Sequence, residues 1–583
     1  MRKSSLILGI FLVVVFLSGC GLNNFEQANQ SHSGLLLEQA FPEDTWFLAS
    51  INNFDIQQRQ FLENFATKIF QGSGNVKEQF LQAVNTNLEP INLSYSKDIQ
   101  PVLGDGFRFM VGFNQKTNSD GTVVQLPHAA LTLDDEAKAE QLFDTLQKEG
   151  RFLKKTVNDY DLYFNVAAAE SGEIIFYFLK YQDVLLIANA EDEVIQMANL
   201  LRSELAQSLW TNTVYRDQIK KLPLPNTAMV FVNGNFFTSQ AKAIENLPSG
   251  SLLQELIHYL KGQSLALVAT KDGVALYGNA KFDRAKIKAD KVDLSEMSLK
   301  PIYLYKNMAA DGLALYFESY NFATLLNQQL AASADGMFSL KSLLGGEQFD
   351  FSKFWGRGYA LAVHQDTSFL PALTLLFDVR GDETMAQQFL TNIDQKLAGL
   401  IGLFQLQGGA LANAFTKEEE ILNGVSFKSI QLDLDTIMTA YGKNGLFQLP
   451  DQLKGQKIKL FYGITKEHHL LISTYEGWLE EEGVNYLLDD EMYKQSLASI
   501  KGFRSGLFYV AFDSLGKILD NWEMMRKAFQ SAEVITKEKD AAGIPEKEDL
   551  SFSEWVSSLQ SAIFSSDLGW YEVKSGGMVL LGK

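Results

Sequence analysis

The sequence predicts an α+β fold: two tandem related domains, each a mainly antiparallel sheet with helices packed on one face. Three observations carry this expectation. The chain has 583 residues, 46% hydrophobic and 21% charged with only 11 Pro, a composition of folded chains with a large core rather than of disordered ones. Its length exceeds the roughly 100–200 residues of one domain. The same ordered set of strand-like and helix-like segments is met twice, and short turns join most strands. A doubly wound parallel sheet would need strict strand–helix alternation instead.

Residues 1–19 come first in the chain. Arg2 and Lys3 precede an apolar run from Leu6 to Leu17, and Leu17-Ser18-Gly19-Cys20 ends it. A positive start, an apolar stretch too short for a comfortable membrane span and small residues at its end form a secretory signal. The motif Leu17-Ser18-Gly19-Cys20 resembles the lipobox of bacterial lipoproteins. That resemblance implies recognition of Leu17, Ser18 and Gly19 by signal peptidase II, cleavage before Cys20, a diacylglyceryl thioether on the Cys20 sulfur and acylation, as by palmitate, of the new amino group. Cys20 is the sole cysteine of the chain, so intramolecular disulfides and Cys-based zinc or iron–sulfur sites are excluded. Acyl chains contribute about 0.8 kcal/mol per buried CH₂, so two or more hold a protein on a bilayer stably. The polar residues 20–40, with Asn23, Asn24, Gln27 and Asn29, read as a tether.

The first body domain is expected over residues 41–295. Thr45–Ile51 reads as a strand, and Gly104-Asp105-Gly106 as a turn into the next one at Phe107. Leu126-Pro127 leads into the strand Ala130–Leu133. Ala139, Leu142, Phe143 and Leu146 follow at the i, i+3, i+4, i+7 spacing of one helix face. Asn158-Asp159 is a hairpin signal. Phe176-Tyr177 and Leu185–Ile187 read as strands, as does Ala228–Val232, and Leu265–Tyr277 as a closing hairpin around Asp272-Gly273.

The second domain, residues 296–583, repeats these features after the Lys-rich stretch 283–300. Gly312–Phe317, Gly356-Arg357-Gly358, Leu370-Pro371 with Ala372–Leu375, and Ala386, Phe389, Leu390 and Ile393 come in the same order. Asn423-Gly424, Phe461-Tyr462 with Leu470 and Ile472, and Gly506–Val510 follow. Phe461-Tyr462 is matched to Phe176-Tyr177. Gly569–Leu581 is expected as the closing hairpin around Gly576-Gly577, preceded by a helix with Ser553 as cap and Trp555, Leu559 and Ile563 on its core face. The 42 Phe are expected to fill the cores. This layout, with Phe41-Pro42-Glu43-Asp44-Thr45 before the first strand and Leu103-Gly104 before Phe107, resembles a bacterial family catalogued as domain of unknown function 3352. The resemblance implies an envelope-exposed or secreted domain and supplies no catalytic residues. Ala309-Ala310-Asp311-Gly312 in the second half lacks the proline of that opening.

Chemistry is sparse. His32, His128, His258, His364, His468 and His469 show no His-Glu-x-x-His spacing, and neighbouring residues of a strand point to opposite faces, so His468-His469 is a poor chelate. Serine-hydrolase and nucleotide-loop motifs do not occur. The acidic runs Glu418-Glu419-Glu420, Glu480-Glu481-Glu482 and Asp489-Asp490-Glu491 read as solvated faces, and Lys537–Asp549 as an exposed insertion. A net charge of −19 argues against nucleic acid as a partner, because phosphate binding needs basic surface. No catalytic residue, metal ligand or cofactor is expected. The leading expectation is a lipid-anchored cell-envelope protein that binds or scaffolds without catalysis, its partners being membrane lipid through the N-terminal acyl chains and an envelope protein. A carrier or chaperone for an apolar envelope ligand, and an envelope hydrolase using acidic residues, are the alternatives.

Overall fold

The computed structural model describes residues 35–52, 55–69, 82, 85–86, 93–104, 106–117, 123–165, 175–203, 207–239, 258–290, 303–319, 358–365, 369–407, 413–422, 424–441, 453–479, 484–500, 506–534, 559–569 and 572–581. The chain divides into two compact units. The first comprises Met1–Leu247, Leu253–Val292 and Tyr571–Ser575, and the second Pro248–Leu252, Asp293–Trp570 and Gly576–Lys583.

In the first unit the strands are β1 (Phe47–Asn52), β2 (Arg108–Thr117), β3 (Val123–Thr132), β4 (Phe152–Val157), β5 (Tyr160–Asn165), β6 (Tyr177–Tyr181), β7 (Val184–Ala188), β8 (Ala228–Asn233), β9 (Leu260–Thr270) and β10 (Gly273–Phe282). They pair antiparallel in the order β4-β5-β6-β7-β3-β2-β1-β8-β9-β10. Three amphipathic helices matter for packing: α1 (Glu136–Lys148), α2 (Glu191–Arg202) and α3 (Thr213–Ile219). Asn158 and Asp159 take φ of 49° and 65° at the β4–β5 turn. Both central residues at positive φ is the type I′ requirement, which Asn and Asp tolerate.

Helices cover both faces of this sheet, whereas the sequence expectation placed them on one. Leu48, Met110, Ala130 and Leu186 join a buried cluster with Leu37, with Val194, Met197, Ala198 and Leu201 of α2, and with Tyr215 of α3. Ile51, Phe109, Val111 and Leu131 join a second cluster with Tyr95, Val102, Leu103 and Ala139 of α1. Successive strand residues point to opposite faces, so these are the two sides of one sheet. Each fully buried aliphatic or aromatic side chain contributes roughly 1.5–3 kcal/mol.

The second unit contains β11 (Leu313–Ser319), β12 (Tyr359–His364), β13 (Ala372–Asp378), β14 (Phe415–Leu422), β15 (Val425–Asp433), β16 (Lys457–Ile464), β17 (His469–Ser473), β18 (Gly506–Ala511), β19 (Leu559–Gly569) and, from Gly576 on, β20 (Glu572–Leu581). Their pairing order is β14-β15-β16-β17-β13-β12-β11-β18-β19-β20, strand for strand the order of the first unit. Helix α4 (Glu383–Gln407) buries Ala386, Phe389, Leu390 and Ile401 against Tyr359, Phe377, Tyr462 and Leu470. Helices α5 (Glu491–Ser499) and α6 (Phe512–Val534) flank β18 in sequence.

Three expectations are corrected here. Leu559 and Ile563 lie on strand β19, not on a helix; residues four apart share a face in either element, so that spacing alone does not separate them. Ser553 and Trp555 fall outside the described residues. The β19–β20 hairpin turns between Gly569 and Glu572, while Gly576 and Gly577 lie inside β20. A Cβ on Gly577 would sit 2.0 Å from the Phe564 ring, so this glycine answers to close packing and not to a turn. Finally, Tyr177 faces Ala188 as Phe461 faces Ser473, and Ala188 and Ser473 face His128 and Thr374 across β3 and β13. The residue matching Phe461 is therefore Tyr177, not Phe176, because the β16–β17 turn is longer than the tight β6–β7 turn at Gln182.

Candidate functional site

The proposed lipid-attachment residue Cys20 and its flanking Leu17, Ser18 and Gly19 lie outside the described residues, as do His32, Asp105, Gly356, Arg357, Asn423, Glu480-Glu481-Glu482 and the insertion 537–549. The other residues singled out by sequence are scattered. Gly104 adopts φ 65° where the short helix Gln100–Leu103 ends, and a Cβ there would meet the Asp134 carboxylate at 2.2 Å. Glu418 to Glu420 lie on β14, where Glu420 pairs with Lys459 at 2.9 Å. Asp490 is the N-cap of α5, accepting from Tyr493 N–H at 2.7 Å.

The histidines are likewise dispersed. His258 is exposed. His468 sits in the turn before β17 at φ 61° beside Glu383, and His469 opens β17 as a buried residue. His364 is buried at the end of β12, stacked on Tyr475 at 4.1 Å, and donates from Nδ1 to Asp311 O at 3.2 Å. Burial lowers its pKa to about 4, so the ring is neutral. His128 on β3 lies 2.9 Å from Glu193 of α2. Among the described residues no group of three or more His, Cys, Asp or Glu is placed to hold a metal ion.

What the fold does bring together is a buried carboxyl group facing a helix tyrosine in each unit. In the first, the 3-10 turn Leu37–Ala40 places Glu38 against Arg108 of β2. Arg108 donates from both terminal nitrogens to Glu38, at 2.7 and 3.0 Å, and each residue is 3% exposed. Tyr215 of α3 donates to the same carboxylate at 3.4 Å. Burial works against the Arg108 charge, but the Coulomb attraction of Glu38 and its hydrogen bonds prevail and raise the guanidinium pKa. The planar fork matches the carboxylate edge.

In the second unit, β11 carries Glu318, wholly buried. Its carboxyl accepts from Leu304 N–H at 2.7 Å and Tyr305 N–H at 3.2 Å, the first two positions of the 3-10 turn Leu304–Asn307. It also accepts from Tyr316 Oη at 2.6 Å. Burial raises its pKa to about 7, only partly opposed by these hydrogen bonds. Tyr493 of α5 is fully buried beside it, and burial first, then the Glu318 charge, push its phenol well up. Tyr215 and Tyr493 hold the same place, three residues after the capping Asn212 and Asp490. One unit thus neutralises its buried carboxyl with a guanidinium, and the other leaves it to protonate near neutrality.

Sequence reasoning passed over Glu38, Arg108, Glu193 and Glu318. The available signal was a single charge within an apolar strand run, Arg108 between Phe107 and Phe109 and Glu318 after Phe317. A separate, open groove of about 560 Å³ runs along α4, lined by Glu383, Thr384, Gln387, Gln388, Thr391, Asn392 and Ile464. No described helix is long and apolar enough to cross a membrane.

A family model described as "Protein of unknown function (DUF3352)" matches residues 5–535. No curated protein matches the chain. Among solved structures, crystal form I of TP0453 is similar at 9% identity and a TM-score of 0.23, covering 46% of this chain and 87% of that one. Crystal form III gives 10% identity and a TM-score of 0.24 over the same shares.

Proposed function

This chain belongs to the DUF3352 family of proteins of unknown function, and on that premise we propose that it is a lipid-anchored cell-envelope protein that binds or scaffolds without catalysis. The observation that carries the reading is the position of its sole cysteine: Cys20 ends Leu17-Ser18-Gly19-Cys20 behind an apolar run and two basic residues. A thiol there is what acylation needs, and two or more chains anchor a protein stably. The non-catalytic part rests on how the polar side chains are used. Glu38 and Arg108 join a turn to a strand, Glu318 caps a turn, and Asn212 and Asp490 cap helices. Cys20→Ala tests the anchor. The variant is expected in the soluble fraction and the parent in membranes; equal membrane partition of both refutes it.

A second reading, a carrier for an apolar envelope ligand, is favoured by the sheet of the second unit. Leu361, Leu373 and Phe508 are 38%, 50% and 38% exposed, and Phe317 pairs with both Leu361 and Phe508 across β11. Native mass spectrometry of the protein extracted from membranes tests this. Co-purifying lipid beyond the covalent chains supports the carrier, and its absence supports the scaffold.

A further inference from the structure

Each unit buries a carboxyl between a 3-10 turn and the sheet, Glu38 on the turn and Glu318 on strand β11, and the two have different counter-groups. Glu38 meets a guanidinium in a bidentate pair. Around Glu318, Tyr316 comes from β11, Tyr305 and the Tyr303 backbone from the 3-10 turn, and Tyr493 from α5. Tyr509 of β18 packs edge-on to Tyr493 at 5.2 Å, and burial first, then the charge of Asp490, raise its phenol pKa. The strand neighbours of Glu318 are Ala360 and Leu507. The nearest cation of the turn, Lys306, lies over the Tyr303 ring at 4.9 Å. Among the described residues, the environment of Glu318 is thus one carboxyl, several phenols and backbone N–H groups.

That carboxyl also anchors a strap. Leu304 and Tyr305 are held by Glu318, and the residues that follow are tied down by Ala310 N–H to Asn485 O at 2.8 Å and Leu487 N–H to Met308 O at 2.7 Å. We propose that Glu318 is a proton-operated latch: protonated, it keeps the strap 303–310 closed on β11, and ionised, it favours opening of the strap so that the charge reaches water. A buried carboxylate without a cation is costly, and opening is the local rearrangement that hydrates it. Linkage gives the direction. The open form has an ordinary carboxyl and the closed form a raised one, so closure is favoured at low pH and loses ground as pH rises through the closed-state value. The opening equilibrium should rise about tenfold per pH unit between roughly 5 and 7 and level off above. The turn 37–40 of the first unit is the internal control, because Arg108 stays charged throughout this range.

Hydrogen exchange of the full chain from pH 5 to 8, corrected for the intrinsic pH dependence of exchange, tests the latch. Peptides covering 303–310 should show the rising opening constant, peptides covering 37–40 should not, and Glu318→Gln should flatten the first. Equal behaviour of the two straps, or an undiminished slope in Glu318→Gln, overturns the proposal. Should the variant fold poorly, infrared spectroscopy of the parent protein replaces it. A protonated-carboxyl C=O band that is present at pH 6 and lost by pH 8 supports the latch, and no such band at pH 6 overturns it.

Discussion

Removing one partner of the Glu38–Arg108 pair should expose an asymmetry that the geometry makes specific. Glu38→Gln takes the carboxylate from a guanidinium only 3% exposed, and loss of one member of a buried pair costs about 3–5 kcal/mol. Arginine does not deprotonate in a protein, so this cost should hold at every pH from 4.5 to 8. Arg108→Met leaves Glu38 equally buried, but a carboxyl escapes by taking a proton. Its folded pKa would then rise above the unfolded value. The variant therefore keeps its stability at low pH and loses it as pH rises through the raised value. Glu318, a buried carboxyl without a guanidinium, sits at about 7 instead of 4.5. Left ionised and unpaired at pH 8, the buried Glu38 carboxylate should cost the Arg108→Met variant about 3–5 kcal/mol, most of which is absent at pH 4.5. The double change Glu38→Leu with Arg108→Met removes both charges and should cost about 1 kcal/mol or less. Urea unfolding read by exchange in first-unit peptides measures all three, since two compact units need not unfold together. Equal and pH-independent costs for the two single variants, or a cost for Glu38→Gln below about 1 kcal/mol, would refute the reasoning.

His364 is held neutral down to about 4 against 6.5 when unperturbed, so it contributes stability present above pH 6.5 and lost as pH falls toward 4. His364→Phe keeps a ring on Tyr475 and should lower the acid sensitivity of second-unit stability by up to about 3 kcal/mol, measured by urea unfolding at pH 4 and pH 7. Asn212→Ala and Asp490→Ala remove matching caps and should each destabilise their own unit by about 1 kcal/mol. Thermal unfolding with unit-resolved exchange checks this, and a null effect of either would show that its cap is replaced by water.

The elements legible in the sequence were those with a single dominant periodicity or a steric requirement. Helix α1 was plain because Ala139, Phe143 and Leu146 are buried at helical spacing. The β4–β5 turn was plain because Asn and Asp accept positive φ. The expectation of helices on one face fails at β1: Leu48, Ala49 and Ile51 are all buried, and a strand covered on both faces loses alternation. The buried carboxyls escaped notice for another reason. Arg108 finds Glu38 at a sequence separation of 70, and a lone charge in a short apolar run does not announce a partner that far away. Glu318 is read through the backbone of Leu304 and Tyr305, whose identity leaves no trace of the hydrogen bonds they give.

The two units share one strand order, and each sets a buried tyrosine three residues after a capping side chain. The functional proposal, however, stands on the N-terminus. Intact-mass analysis of the protein purified from its native membrane tests it most directly. The account expects a chain beginning at Cys20 and heavier than its sequence by a diacylglyceryl group, with or without one further acyl chain. A chain that begins at Cys20 or elsewhere with an unmodified sulfur would contradict it.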